Sequence, residues 1–228
     1  MNLILGDGLL GSAVIGSSGW TFVSRKENGF DINKPNQWRS SIPGGTTTII
    51  NLVANTDTYS NDVFAMFNTN YRGVVDLVDY CNVNKIKLVH FSTDYVYENS
   101  RTNAKETNKA KPVTPYAVSK LLADEYIMKH SNSHLILRGS QKIDPFPYDT
   151  AFTNVYGNFD YADTIADIVV EMIKTGATGL FNIGTPKKSM FDLAKLTKSD
   201  VKPGIAPEHF PKDITMNLNK MIEWLDQE

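Results

Sequence analysis

Tyr116 and Lys120 are the first residues in this chain whose types and spacing could do chemistry. Pro115 can stand in the first turn of a helix, where its missing N–H costs nothing. Good helix formers follow from Tyr116 through Leu122. Residues four apart share a helix face, so the phenol and the amine look at one spot. A Lys beside a Tyr favours the phenolate and lowers a pKa that starts near ~10. Such a pair can give or take a proton near neutral pH. A solvent-facing Tyr and Lys would have the same spacing, so the chemistry depends on what other segments bring to this face. Thr93, after the apolar run 85–91, offers a hydroxyl able to hydrogen-bond a substrate carbonyl.

The elements that must position these groups are legible in order. Asn2–Leu5 is a short apolar run, followed at once by Gly6-Asp-Gly8-Leu9-Leu10-Gly11 and a helical stretch from Ser12. Strand, glycine turn and helix together are the context of a dinucleotide loop. Gly6 allows the tight turn, Gly8 lets a pyrophosphate approach the backbone, and Gly11 lets the helix pack close to the strand. Residues 20–23 read as a second strand ending in Ser24-Arg25-Lys26, where the adenosine ribose would lie. Basic residues there accommodate a 2′-phosphate, so NADP(H) is favoured over NAD(H), with Asp31 and Ile32 near the adenine edge. Residues 46–53 are apolar on both faces, as a central parallel strand should be. Leu52, Val53 and Ala54 then belong to the cofactor side, and Asn55 and Thr56 to the substrate side, of the sheet edge where ligands gather. A helix over 61–81, a strand over 85–91, a strand over 134–138, a helix over 161–174, a strand over 179–184 and small helices over 189–196 and 216–225 complete the pattern. Residues 139–160 carry turn residues and scattered aromatics without a period. The alternation predicts an α/β fold with a Rossmann-type, doubly wound parallel sheet.

At 228 residues the chain suits one sizeable domain with room for a small appended one, and its net charge of −2 gives no footprint for nucleic acid or an anionic membrane. Its single cysteine, Cys81, excludes an internal disulfide and falls in a helical pattern as buried filler. His90, His130, His134 and His209 show no spacing with carboxylates or Cys that suggests a metal site. The amino terminus is too short and too quickly glycine-rich for a signal peptide, and no apolar run approaches the ~18 residues of a membrane span. The expectation is a cytoplasmic, metal-independent protein.

The glycine loop, Ser92-Thr93-Asp94-Tyr95-Val96-Tyr97 and Tyr116-x-x-x-Lys120 together resemble an extended short-chain dehydrogenase/reductase, closest to the dTDP-4-dehydrorhamnose reductase family. Residues 51–54 resemble the family's Asn-Ala-Ala segment, and Asn70 falls where a family Asn sits on the cofactor side. Residues 161–166 and 216–221 resemble its Val-Asp-Asp-Ile-Ala and terminal Leu-Asp-Thr-Ser-Lys-Leu segments. The resemblance implies hydride transfer from NAD(P)H to the ketone of a nucleotide-linked 4-keto-6-deoxy sugar. It makes Tyr116 the general acid, Lys120 the group that lowers the phenol's pKa and binds the nicotinamide ribose, and Thr93 the holder of the carbonyl oxygen. Asp94 and Tyr95 adjoin the sugar. Family dehydratases carry Asp-Glu at 94–95, so elimination is disfavoured here.

The resemblance also implies a cofactor domain over residues 1–138, with 161–184 packed back on it, and a small, abbreviated C-terminal substrate cap from 139–160 and 185–228. It allows a homodimer. The chain departs from the family at 138–143, where Arg-Gly-Ser-Gln-Lys-Ile replaces Arg-Thr-Ser-Trp-Val-Tyr, and its glycines are spaced one residue tighter. Two other readings stay open: a nucleotide-sugar epimerase holding NAD, and a non-catalytic dinucleotide-binding regulatory subunit.

Overall fold

The computed structural model describes residues 1–58, 61–208 and 210–227, so His209 lies outside the described residues. In chain order the first half comprises β1 (Asn2–Leu5), α1 (Leu9–Ser18), β2 (Thr21–Val23), two short helices α2 (Arg25–Asn28) and α3 (Pro35–Trp38), β3 (Thr48–Asn51), α4 (Val63–Phe67) and α5 (Gly73–Asn84). There follow β4 (Lys87–Thr93), α6 (Pro115–His130), β5 (His134–Gly139) and the short strands β6 (Gln141–Lys142), β7 (Thr150–Phe152), β8 (Tyr156–Gly157) and β9 (Asp160–Tyr161). The chain closes with α7 (Ala162–Lys174), β10 (Gly179–Asn182), β11 (Lys188–Ser189), α8 (Met190–Thr197), β12 (Lys202–Gly204) and α9 (Asn219–Leu225).

Six parallel strands form the main sheet in the order β10-β5-β4-β3-β1-β2. Chain direction across the sheet reverses between β1 and β3, so the loops after these two strands diverge and leave a crevice at their carboxyl ends. Successive strand residues point to opposite faces, and both faces are covered. Ile4, Ile50, Val89 and Leu137 pack against Val14, Ile165 and Val169 on one side. Leu3, Leu5, Ile49, Leu88 and Ile136 pack against Leu77, Val78, Ala123 and Ile127 on the other. That is why these strands read as continuous apolar runs. The doubly wound α/β expectation holds.

Several boundaries differ from the sequence reading, each for a local reason. The helix expected over 61–81 is interrupted by a π-turn at Asn68–Arg72 and then runs on to Asn84, where Lys85 ends it in a left-handed conformation. The following strand therefore starts at Lys87 and ends on Thr93 itself. The strand expected over 46–53 shortens to four residues because Thr46 turns back onto the Pro43 carbonyl. Met216 pairs as an isolated bridge with Ala104, so the last helix starts three residues later than expected. Cys81 is fully buried in α5, and burial pushes its thiol up to about 12.

The segment without a sequence period, together with residues 185–204, makes a small cap of two-stranded pairs, β11 with β8 and β12 with β7. Its own apolar cluster includes Phe146, Ala151, Phe159, Leu193 and Val201, separate from the two sheet cores. No helix among the described residues is long and apolar enough to cross a membrane.

Candidate active site

The glycine loop is shaped as its spacing requires. Gly6 sits at φ +96, a region that side chains rarely adopt. A Cβ on Gly11 would come within 2.2 Å of the Gly6 carbonyl, so helix α1 can approach the strand end only with glycine there. A Cβ on Gly8 would meet nothing within 4 Å, which leaves the backbone open to an incoming group. Gly8, Leu9, Leu10 and Gly11 line a cleft of about 420 Å³ at the carboxyl ends of the strands. A pyrophosphate fits this cradle: open backbone at Gly8 and the start of a ten-residue helix beyond it. The tighter glycine spacing thus leaves the cradle open.

The same cleft is lined by Thr93, Tyr95, Tyr116 and Lys120, with Leu52, Ala54 and Thr56 at its rim. Thr114 caps α6 by accepting from the Ala117 amide at 3.2 Å, and Pro115 takes the first helical position. The Glu98 carboxylate fixes the approach to that helix, accepting from the Val113 and Thr114 amides at 2.7 and 2.9 Å. Tyr116 is thereby held half-buried in the cleft that Thr93 also lines. The structure thus brings Thr93, Tyr116 and Lys120 together.

Their electrostatics differ from the sequence expectation. Lys120 does not lower the Tyr116 pKa: burial pushes the phenol up to about 12, the Thr93 hydrogen bond opposes, and the Asp94 and Asp124 carboxylates push it further up. Lys120 directs its amine elsewhere, donating to the Phe91 carbonyl at 2.8 Å and meeting His90 Nε2 at 3.1 Å. Burial lowers the Lys120 pKa to about 8, with Asp124 opposing. Tyr116 is therefore a neutral phenol, the protonated form that a general acid needs.

The remaining expected residues divide between two clefts. A neighbouring cleft of about 450 Å³ is lined by Asp7, Arg25, Ile32, Val53 and Asn55. Asn55 thus lines this second cleft and not the main one. Ser24 caps α2 and donates to Asp7 Oδ2 at 2.9 Å, while Arg25 donates to Asp31 at 3.2 Å. Lys26 is exposed on the same turn. Asn70 does not line either cleft. It is fully buried, donates to the Asn55 carbonyl and Ser119 Oγ, and accepts from the Asn55 amide, so it pins the strand-three loop from the π-turn. Asp94 is buried beneath the cleft, its carboxyl pushed up to about 6 by burial, with Lys142 opposing.

Four contributors escaped the sequence reading. Lys142 lines the main cleft, donating to Ser140 Oγ at 3.0 Å with its amine 5.3 Å from the Phe159 ring centroid. His90 and Asn51 stand behind Lys120. Asp124, one turn beyond Lys120, receives Ser92 Oγ and Arg138 Nε, each at 2.9 Å. The period-two pattern of β4 holds the signal: Leu88 faces α6, so His90 and Ser92 must as well. The four-residue spacing of Tyr116, Lys120 and Asp124 holds the rest.

Fold and site together define an extended short-chain dehydrogenase/reductase, the NAD(P)-dependent class of oxidoreductase. The family model described as "RmlD substrate binding domain" matches residues 2–142, and the chain belongs to that family. Solved structures agree in fold. A hypothetical dTDP-4-dehydrorhamnose reductase from Sulfolobus tokodaii superposes with a TM-score of 0.81 at 21% identity, covering 98% of this chain and 94% of that one. The dTDP-4-dehydrorhamnose reductase of Bacillus anthracis, in complex with NADP, gives 0.81 at 18% identity, covering 99% and 95%. The Bordetella bronchiseptica enzyme WbmG, in complex with NAD and UDP, gives 0.78 at 16% identity, covering 99% and 88%.

Proposed function

We propose that this protein reduces the ketone of a nucleotide-linked 4-keto-6-deoxy sugar, using NADP(H) in preference to NAD(H). One observation carries the reading: Thr93, Tyr116 and Lys120 line the same cleft as the glycine loop. Residues 1–138 with 161–184 hold the cofactor, and the cap of 139–160 with 185–204 holds the sugar, while Met216, Leu218 and Met221 pack in the sheet core. When bound, the nicotinamide supplies a hydride to the carbonyl carbon. The Thr93 hydroxyl holds the carbonyl oxygen, and Tyr116 gives that oxygen its proton as charge develops. Lys120, as the ammonium, holds the nicotinamide ribose. Arg25 turns from Asp31 to a 2′-phosphate, the feature that favours NADP(H). Lys142 reaches the sugar side, where the family's aromatic residues are absent.

The test is NADPH oxidation with a panel of 4-keto-6-deoxy sugar nucleotides. Turnover is expected with at least one, and Tyr116→Phe should lower kcat by about 10²–10⁴-fold while NADPH still binds. Protein that binds NADPH and consumes it with no member of the panel sinks the reductase reading.

A further inference from the structure

Asn51 and His90 stand opposite each other in the register of β3 and β4, and both are fully buried. Both point to the α6 side of the sheet, where they form a line that ends at Lys120. The hydrogen bonds along this line fix which atom carries each proton. The Val53 backbone N–H can only donate, and it meets Asn51 Oδ1 at 3.2 Å. The other branch of that carboxamide, Nδ2, therefore faces His90 Nδ1 at 3.1 Å. An amide NH₂ is a donor, so His90 Nδ1 presents its lone pair. Burial holds the imidazole pKa well below its usual range, and Lys120 lowers it further whenever it is charged, so the ring is neutral in either state of the amine. Its one proton is then on Nε2, which faces Lys120 Nζ at 3.1 Å. Two donors cannot share that line. The arrangement is that of the uncharged amine, the form present above its pKa of about 8: Lys120 accepts from His90 Nε2–H with its lone pair while donating to the Phe91 carbonyl at 2.8 Å.

We propose that His90 is a positioning residue whose tautomer, set by Asn51, links the proton on Lys120 to the Val53 amide at the cofactor cleft. For Lys120 to become an ammonium on this line, His90 must turn a lone pair toward it. The ring proton then belongs on Nδ1, and the Asn51 carboxamide must rotate to accept it. That rotation withdraws Oδ1 from the Val53 N–H. Val53 lines the cleft beside Gly6, so the backbone that receives the cofactor and the Lys120 amine share one two-state element. The other groups facing Lys120 do not alter the argument. Asp124 and Tyr116 lie on its own helix, Arg138 on β5 neutralises Asp124, and Asp94 lies after β4 with Lys142 opposite it.

The experiment has two readouts, and only the second rests on the reductase reading. The first is two-bond ¹H–¹⁵N correlation of the imidazoles in uniformly ¹⁵N-labelled full-length protein, with His90 assigned by its absence in His90→Phe. In the wild type at about pH 9, where the Lys120 amine is mostly uncharged, Nδ1 should appear as the unprotonated nitrogen and Nε2 as the protonated one. In Asn51→Asp, where a carboxylate can only accept, the two should exchange. A protonated Nδ1 in the wild type at that pH, or an unchanged tautomer in a folded Asn51→Asp protein, overturns the proposal. The second readout is the pH profile of kcat for NADPH oxidation. The wild-type rate should fall as Lys120 loses its proton, and Asn51→Asp should move that limb up by about one pH unit or more. An exchanged tautomer with an unmoved limb overturns the link to Lys120. An exchanged tautomer in a protein that turns over no substrate leaves the tautomer assignment standing and counts against the reductase reading alone.

Discussion

Single atoms decide the chemistry at this site. Burial keeps Tyr116 protonated, and Lys120 is held by His90 and a backbone carbonyl rather than left to face the phenol. The same scale governs the choice of cofactor. Arg25 and Lys26 favour a 2′-phosphate, but Asp7 places a carboxylate 2.9 Å from Ser24 Oγ at the same end of the cleft. A carboxylate there repels a phosphate and would accept from a 2′-hydroxyl. Replacing Asp7 with Asn keeps the shape and removes the charge. Taking roughly 1 kcal/mol for a solvent-accessible charge, the ratio of kcat/KM for NADPH over NADH should rise about fivefold. Steady-state kinetics with both cofactors measures it. A falling ratio would show that Asp7 does not sense the 2′ position.

Helix α6 joins the site to the core through Asp124. This carboxylate is fully buried and paired with Arg138 of β5, whose Nη1 donates to the Tyr97 hydroxyl at 2.7 Å. Tyr97 in turn donates to Asn182 of β10 at 3.1 Å. Removing one member of a buried pair leaves the other charge uncompensated, which costs about 3–5 kcal/mol. Asp124→Ala should therefore lower the urea midpoint sharply with an unchanged slope, and Asp124→Asn, which still accepts from Arg138, should lose less. Equal losses in the two variants would mean that the charge pair contributes little.

At this scale the sequence was most readable. Strands buried on both faces and a helix opened by Thr114-Pro115 carry periodic signals, so Thr93, Tyr116 and Lys120 could be assigned to their elements. The π-turn could not be read, because an extra residue in a helix leaves no mark on composition. Asn70, expected on the cofactor side from the resemblance, is fully buried in that π-turn and pins the loop at Asn55. The direction of the Tyr116 shift was also hidden, since it depends on burial and on carboxylates from two other segments.

Across the whole molecule, stability is divided unevenly. The sheet is covered on both sides by helices, and its two apolar clusters share buried strands. The cap rests on a smaller cluster around Phe159 and Leu193, with two-residue and three-residue strand pairs. Short pairs have few protected amides, and a small cluster gains little from burial, so the cap should open locally at lower free energy than the sheet. Native-state hydrogen exchange should show β7, β8 and β12 exchanging ahead of β3, β4 and β5. The ligands should then separate the two halves. NADPH alone should slow exchange around Gly6–Gly11 and Val53, and at about 100 times its Kd it should add about 2.7 kcal/mol to global stability. A sugar nucleotide added to that complex should protect residues 140–148, which line the main cleft through Lys142, Phe146 and Tyr148. Protection of the glycine loop by NADPH with none in the cap on adding the sugar would place substrate recognition outside the cap. Cap strands as slow to exchange as the central sheet would show that the molecule opens as one cooperative unit.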